Sequence, residues 1–360
     1  MKRLGLKWEE KTMKRNVIAG LISSVTAVFG TALTAENLTA YTSGPGVAVH
    51  LSISHLAEVA AQRDIADIQI TLGQTGANAT LAVAEGRASI GICPFILPFL
   101  MSKGVGPYAA MGAEKGAELA ANLRVLYPYS FGAYTLYAYD TAGVQGWDDL
   151  EGRRILNGPP RGGATAEARG LIQVLTGLED GKGYEGIQSD WSQMATTITE
   201  GSSDVALLPE YIPSDRPLQA LSAGKMTFWS IPKEKYESEA MQRVLSGPGS
   251  APFELTLEQM QALGENATIV SEDGVFRTRG SVGGNCVHAD MGEELAYQLT
   301  KAHIETLDEI YAKASYARNV GFEELDAKKS GMCGPNPVKY HPGASRAWEE
   351  AGYTVPECAK

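Results

Sequence analysis

Histidine, cysteine and tryptophan are scarce in this 360-residue chain, with five, four and five copies. So few imidazoles and thiols leave little material for a zinc cluster, and the lone histidines His50, His55, His288 and His341 show no metal-ligand spacing. Basic residues are outnumbered, 31 Lys and Arg against 42 Asp and Glu for a net charge of −11, which argues against a phosphate-backbone partner. No nucleic acid is expected. Beyond residue 35 no apolar run approaches the ~20 residues that span a bilayer core. Enzyme signatures are also missing: there is no G-x-S-x-G elbow and no H-E-x-x-H helix. Residues 177–183 (GLEDGKG) have the wrong spacing for a P-loop, and Gly44-Pro45-Gly46 lacks the third glycine of a dinucleotide fingerprint. The expectation is therefore a protein that is not an enzyme, with no catalytic residue, no metal and no cofactor.

What remains is ordinary globular composition, 44% hydrophobic and 20% charged, in a chain long enough for two lobes of about 150 residues. Its start reads as an export signal: Lys14 and Arg15, an apolar stretch over residues 17–29, then small residues to Ala35. Cleavage after Ala32 or Ala35 fits, and residues 1–12, with Glu9 and Glu10, read as an extension upstream of the signal. An uncleaved membrane anchor is the alternative reading. Removing residues 1–35 leaves 25 basic against 40 acidic residues, a balance of −15, so the mature chain is expected in the periplasm without stable membrane insertion. Export permits disulfides among Cys93, Cys286, Cys333 and Cys358, whose connectivity sequence alone leaves open. Cys333–Cys358 is the favoured pair, since both lie in a Pro- and Gly-rich tail, and Cys93 reads as a small buried apolar residue. The sequons at Asn37, Asn78 and Asn266 read as chance matches behind a bacterial-looking signal.

Strand-like and helix-like segments alternate, which favours α/β architecture with largely parallel sheets. Residues 67–72 alternate polar and apolar with period two, residues 88–93 suit a buried strand, and residues 78–85 read as a helix stopped by Gly86. After residue 150 the same order recurs, with a strand at 154–156 and a helix over 165–177. An internal echo links the halves: VAEGRASIGICP at residues 83–94 aligns without gaps with ITEGSSDVALLP at 198–209. Both read as a helix ending at Glu-Gly, a turn, and a strand running out to a proline. In open α/β sheets ligands bind beyond the carboxyl ends of strands, so two such edges facing one another would make a cleft. The loops at 73–78 and 157–165 follow strands and open helices, where free N–H groups suit an anion, with Thr165 as a helix cap. The aromatic stretch 123–140 reads as strands joining the lobes, with the crossing near residues 140–143. A long amphipathic helix is expected over residues 293–314, with His303 as a packing residue.

Several motifs resemble the solute-binding proteins of TRAP transporters, specifically the TAXI group. Tyr41-Thr42-Ser43-Gly44 occupies the place of that family's first glycine-rich loop, and residues 73–86 look like its next loop, helix and Gly-Glu-Ala-Asp segment. Residues 147–155 are similar to the family's Asp-Leu-Lys-Gly-Lys-Arg-Val stretch, residues 158–165 to its glycine turn, and residues 201–206 to its second Gly-x-x-Asp-Ala element. Tyr340-His341-Pro342-Gly343-Ala344 with Glu349-Glu350-Ala351-Gly352 is close to the tail motif, the most specific match. The chain departs from the pattern at Pro45, at Ser89 where an aspartate is usual, and at Arg161 in the glycine turn. The resemblance implies an α/β, two-lobed periplasmic-binding-protein fold of type II, each lobe a mostly parallel sheet flanked by helices, hinged between. The lobes would be residues 36–140 and 141–279, with 280–360 returning to the first. It implies a receptor that captures a small organic anion (dicarboxylate, 2-oxoacid or acidic amino acid) in the cleft and delivers it to TRAP membrane subunits. A binding protein for an ATP-driven importer or a sensor, or a secreted hydrolase, are the rival readings. The expected ligand contacts are Ser43, Gly44, Thr75, Gly76, Asn78, Arg161, Gly162, Gly163, Ala164 and Thr165, with Glu210 and Tyr211 just beyond Pro209. Arg161 would grip a carboxylate through two hydrogen bonds.

Overall fold

The computed structural model describes residues 36–160 and 163–360; the expected signal segment, Arg161 and Gly162 lie outside the described residues. Twelve strands among the described residues join in one sheet. They are β1 (Glu36–Tyr41), β2 (Ala66–Thr71), β3 (Ile90–Pro94), β4 (Leu123–Tyr139), β5 (Arg154–Gly158) and β6 (Glu185–Gln188). There follow β7 (Val205–Glu210), β8 (Met226–Trp229), β9 (Ser250–Thr256), β10 (Ala267–Val270), β11 (Val275–His288) and β12 (Lys339–Tyr340).

The main path runs β2-β1-β3-β11-β4-β7-β5-β6 and reads alike from its two ends. On one side β1 pairs parallel with β2 and β3; on the other β5 pairs parallel with β6 and β7. Each trio then meets a long antiparallel strand, β11 beside β3 and β4 beside β7. The fold is thus α/β and two-lobed, as expected, but the sheet is mixed rather than mostly parallel. The physical reason is that β4 (17 residues) and β11 (14 residues) run antiparallel to each other and each serves both halves. The aromatic stretch forms this single strand β4. Its first part lies against β11 and β12, its second against β7 and β8, and the exchange of partners falls at Ser130–Ala133.

The echoed segments are structural equivalents. Helix Gly76–Ala84 ends into Gly86 (φ +69°) before β3, and helix Met194–Thr199 ends into Gly201 (φ +70°) before β7. The first helix begins two residues earlier than its composition suggests, because the Thr75 side chain accepts from the Asn78 N–H at 3.2 Å and caps it. The long helix expected over 293–314 is two, Glu293–Glu305 and Leu307–Ala312. Thr306 divides them: its hydroxyl donates back to the Ala302 carbonyl at 2.7 Å, a bond that competes with continued helix.

Period two in β4 distributes its side chains between cores. Tyr134, Leu136 and Ala138 join Trp147, Leu171, Leu175 and Tyr236 on one face, while Tyr137 joins Phe228, Met260 and Phe276 on the other. Tyr127 and Tyr129, nearer its start, belong to a third cluster with Phe322 and Trp348. His303 is fully buried there, stacked on Tyr127 at 3.6 Å, with Nε2 donating to the Phe322 carbonyl at 2.9 Å. Cys333 and Cys358 are disulfide-bonded, as favoured from the sequence. Cys93 is more than a small apolar residue: it is bonded to Cys286, 193 positions away. β3 and β11 are neighbours, with Cys286 opposite Gly91 and Cys93 opposite Gly284, so a diagonal pair brings the two Cα atoms to 5.7 Å.

Candidate functional site

Equivalence in the sheet places β1 with β5 and β3 with β7, and the segments after their carboxyl ends meet along one seam. Behind β1, a Cβ on Gly46 would stand 3.1 Å from Asp215 Oδ2, beyond the end of β7. Behind β3, Ile96 opens helix Ile96–Lys103 and lies 3.4 Å from where a Gly163 Cβ would be, at the start of helix Gly163–Thr176 after β5. A Cβ on Gly249 (φ +69°) would collide with the Ile96 backbone nitrogen, so only glycine permits this approach. Farther along, Tyr211 stacks on Tyr316 at 5.4 Å and Asn319 Nδ2 donates to the Ile212 carbonyl at 2.7 Å. The gap bordered there by Ser130, Glu210, Tyr211, Phe253 and Tyr316 has no room for a water molecule.

Several residues singled out from the sequence reach this seam. Ser43 and Gly44 are half-buried in the loop that leads to Gly46, and the Ser43 hydroxyl donates to the Gly44 carbonyl at 3.3 Å. Gly163 abuts Ile96, and the Ala164 carbonyl accepts from the Tyr134 hydroxyl at 3.1 Å. Thr165 lies inside the first helical turn rather than at its cap; it is 6% exposed and donates to the Pro159 carbonyl at 2.6 Å, so it braces its own loop. Thr75 and Asn78 are exposed at the start of helix Gly76–Ala84, with Gly76 beside Pro94 and Leu97. Arg161 and Gly162 are outside the described residues. Glu210 is buried and accepts from Tyr137 Oη at 2.7 Å and from Arg216 Nε and Nη2 at 2.7 and 2.9 Å.

Sequence reading missed the residues beneath the seam. Arg279 on β11 is 4% exposed; its Nε donates to Ser250 Oγ at 2.8 Å and its Nη2 to Glu167 Oε1 at 2.9 Å. Glu167 also accepts from the Tyr134 hydroxyl at 2.6 Å, and the guanidinium carbon lies 5.1 Å from the Tyr134 ring centroid. Arg279 Nη1 is buried with no hydrogen-bond partner among the described residues. Leaving a buried donor unsatisfied costs roughly 1–3 kcal/mol, and more for a charged group. The one available signal was the Arg277-Thr278-Arg279 alternation, which puts two arginines on a single strand face.

Burial opposes charge on both seam arginines, yet the carboxylates win. Desolvation works against Arg279, but Glu167 holds its pKa above the ordinary value, and Glu210 does the same for Arg216. Burial, reinforced by the adjacent glutamates, raises the hydroxyl pKa values of Tyr134 and Tyr137 well above the ordinary range, so both stay protonated donors.

A family profile described as the NMT1-like family matches residues 38–352. The chain belongs to the NMT1-like family. A search of curated proteins finds no match to it. Among solved structures, this NMT1-like chain is similar to the periplasmic aliphatic sulphonate binding protein SsuA from Escherichia coli, at 11% identity over 79% of each chain, with a TM-score of 0.42. It is similar to the periplasmic nitrate-binding protein NrtA from Synechocystis PCC 6803, at 11% identity over 83% of this chain and 70% of that one, TM-score 0.42. It also resembles the GluR0 ligand-binding core in complex with L-glutamate, at 12% identity over 80% of this chain and 99% of that one, TM-score 0.40.

The NMT1-like chain has a second concavity, of about 660 Å³, away from the seam and bordered by Trp147, Arg153, Trp229, Glu272 and Arg277 among others. None of the ligand contacts expected from the sequence lines it, although Trp147, Asp148, Asp149 and Arg153 of the 147–155 motif do. Its polar groups are matched internally: Arg153 with Asp149 at 2.7 Å, Arg277 with Asp273 at 2.7 Å, and Trp147 Nε1 with the Ser230 carbonyl at 3.1 Å. The seam, with an unpaired buried donor, is the stronger candidate although it is the tighter space. Among the described residues no cluster of His, Cys, Asp and Glu could hold a metal ion, and no helix is long and apolar enough to cross a membrane.

Proposed function

We propose that the chain is an extracytoplasmic solute receptor that captures a small organic anion between its two lobes. The lobes are taken as residues 36–140 with 280–360, and residues 141–279, joined by the long strands β4 and β11. The observation that carries this reading is the meeting of the carboxyl edges: the loops after β1 and β3 abut the loops after β7 and β5, with Ile96 wedged against Gly163 and Gly249. Facing carboxyl edges are where an α/β fold offers backbone N–H groups to a ligand. Membership of the NMT1-like family supports the reading, as does the buried Arg279 beneath the seam. Closure over a solute is a hinge motion of the lobes, and no covalent step is involved. Residues 13–35 act as an export signal that is cleaved off with the extension before it, so amino-terminal sequencing of secreted protein should begin near residue 33 or 36.

The finer assignment is to a TRAP-type secondary transporter of the TAXI group, with a dicarboxylate, 2-oxoacid or acidic amino acid as solute, on the strength of the tail motif at residues 340–352. Protein purified without denaturation, then unfolded, should release a small acid identifiable by mass spectrometry. In a thermal-shift panel of organic acids, a ligand at 100 times its dissociation constant adds about 2.7 kcal/mol of stability. A protein that releases nothing and responds to no acid would sink the receptor reading. Solute uptake by cells carrying receptor and membrane subunits should collapse with an ionophore and survive ATP depletion; the reverse would assign it to an ATP-driven importer.

A further inference from the structure

Arginine carries five N–H donors in a planar fork, and burial normally requires each nitrogen to find an acceptor. Two nitrogens of Arg279 are fixed, Nε on Ser250 and Nη2 on Glu167, while Nη1 is shielded from solvent without one among the described residues. Everything that fixes the group belongs to the seam. Ser250 directly follows Gly249, and Glu167 sits one helical turn after Gly163; both glycines lie against Ile96 of the other lobe. The Tyr134 ring covers the guanidinium face at 5.1 Å. The unused N–H pair is thus held rigidly, within a turn of the place where the lobes touch, and a missing acceptor there is what a ligand oxygen would supply.

Resting on the receptor reading above, we infer that Arg279 grips the carboxylate of the solute through Nη1, and that Glu167 limits the strength of that grip by occupying Nη2 and offsetting the charge. The acid group is therefore held end-on, by one side of the fork. A purely structural Arg279–Glu167 strut would make a different prediction: removing the carboxylate charge would weaken the fold and leave affinity for acids unchanged.

The test is calorimetric titration of L-glutamate, pyruvate and succinate into the wild type, Glu167→Gln, Arg279→Lys and the double variant Glu167→Gln/Arg279→Met, with thermal melts of each. A probe that binds the wild type should bind Glu167→Gln about tenfold more tightly, because Arg279 is left with uncompensated charge. Arg279→Lys and the double variant should bind it about 100-fold more weakly. Should the Arg279 variants fail to fold, the gain in Glu167→Gln still decides: no gain overturns the proposal. Binding by the double variant within about threefold of wild type overturns it too. If no probe binds but denatured wild type releases a carboxylic acid, that acid is titrated instead. Release of a compound without a carboxylate refutes the role of Arg279 while the receptor reading stands. A wild type that binds no probe and releases nothing refutes both.

Discussion

Glu210 holds Arg216 much as Glu167 holds Arg279, and each carboxylate also accepts from a tyrosine, Tyr137 and Tyr134 respectively. Breaking such a buried pair from one side strands a charge, which costs about 3–5 kcal/mol, whereas exchanging both members for apolar residues is far milder. Glu210→Ala should therefore destabilise the protein by that amount in urea unfolding, and Glu210→Met/Arg216→Met by clearly less; equal losses would show that the charge pair is not what matters. His303 offers a pH test. Burial depresses its pKa to about 3 from the usual 6.5, so the neutral ring stabilises the fold fully above pH 6.5, and this share is lost as pH falls below it. The loss approaches about 1.4 kcal/mol per pH unit. His303→Gln, whose amide can still donate to the Phe322 carbonyl, should flatten the fall in unfolding free energy between pH 6.5 and 5. Parallel pH profiles for the two proteins would refute a buried neutral imidazole. At this scale the sequence told only half: Glu210 and Tyr211 stood out through the echoed proline, but Arg279 did not, because nothing local marks which face of β11 turns to the other lobe.

Elements were far more legible than side chains. Strands β2, β3 and β5 and the helices after β2 and β5 follow from periodicity and from glycines at φ near +70°, which are local signals. The antiparallel entry of β4 and β11 was invisible, since strand direction is set by pairing with partners distant in sequence, and burial of nearly every side chain blurs even the two faces. The same distance in sequence hid the Cys93–Cys286 bond, which ties β3 to β11. In the chain-entropy view a cross-link over 193 residues stabilises by about 5 kcal/mol and one over 25 residues by about 3.5. Cys93→Ala/Cys286→Ala should accordingly lower the unfolding free energy more than Cys333→Ala/Cys358→Ala. Guanidinium titrations showing the opposite order would mean that strain or residual denatured structure outweighs loop closure.

For the molecule as a whole, the decisive contact is Gly249 against Ile96, where no side chain fits. Gly249→Val should wedge the lobes apart, giving a larger radius of gyration by small-angle scattering and weaker solute binding, with little change in secondary structure. A variant as compact as wild type would show that the contact does not govern closure. Any parting of the lobes is further constrained by β4 and β11. These ribbons carry hydrogen-bonded rungs into both halves, so the halves cannot slide past one another or drift apart without tearing them. The rungs are already irregular between Gly280 and Val282, and across the ladder Gly132 holds φ +103°. Freedom is left there for a pivot and for little else. On the proposed receptor reading, a body hung on such an axle would signal occupancy as an angle, and a docking surface that spans both halves could read that angle without ever touching the cargo.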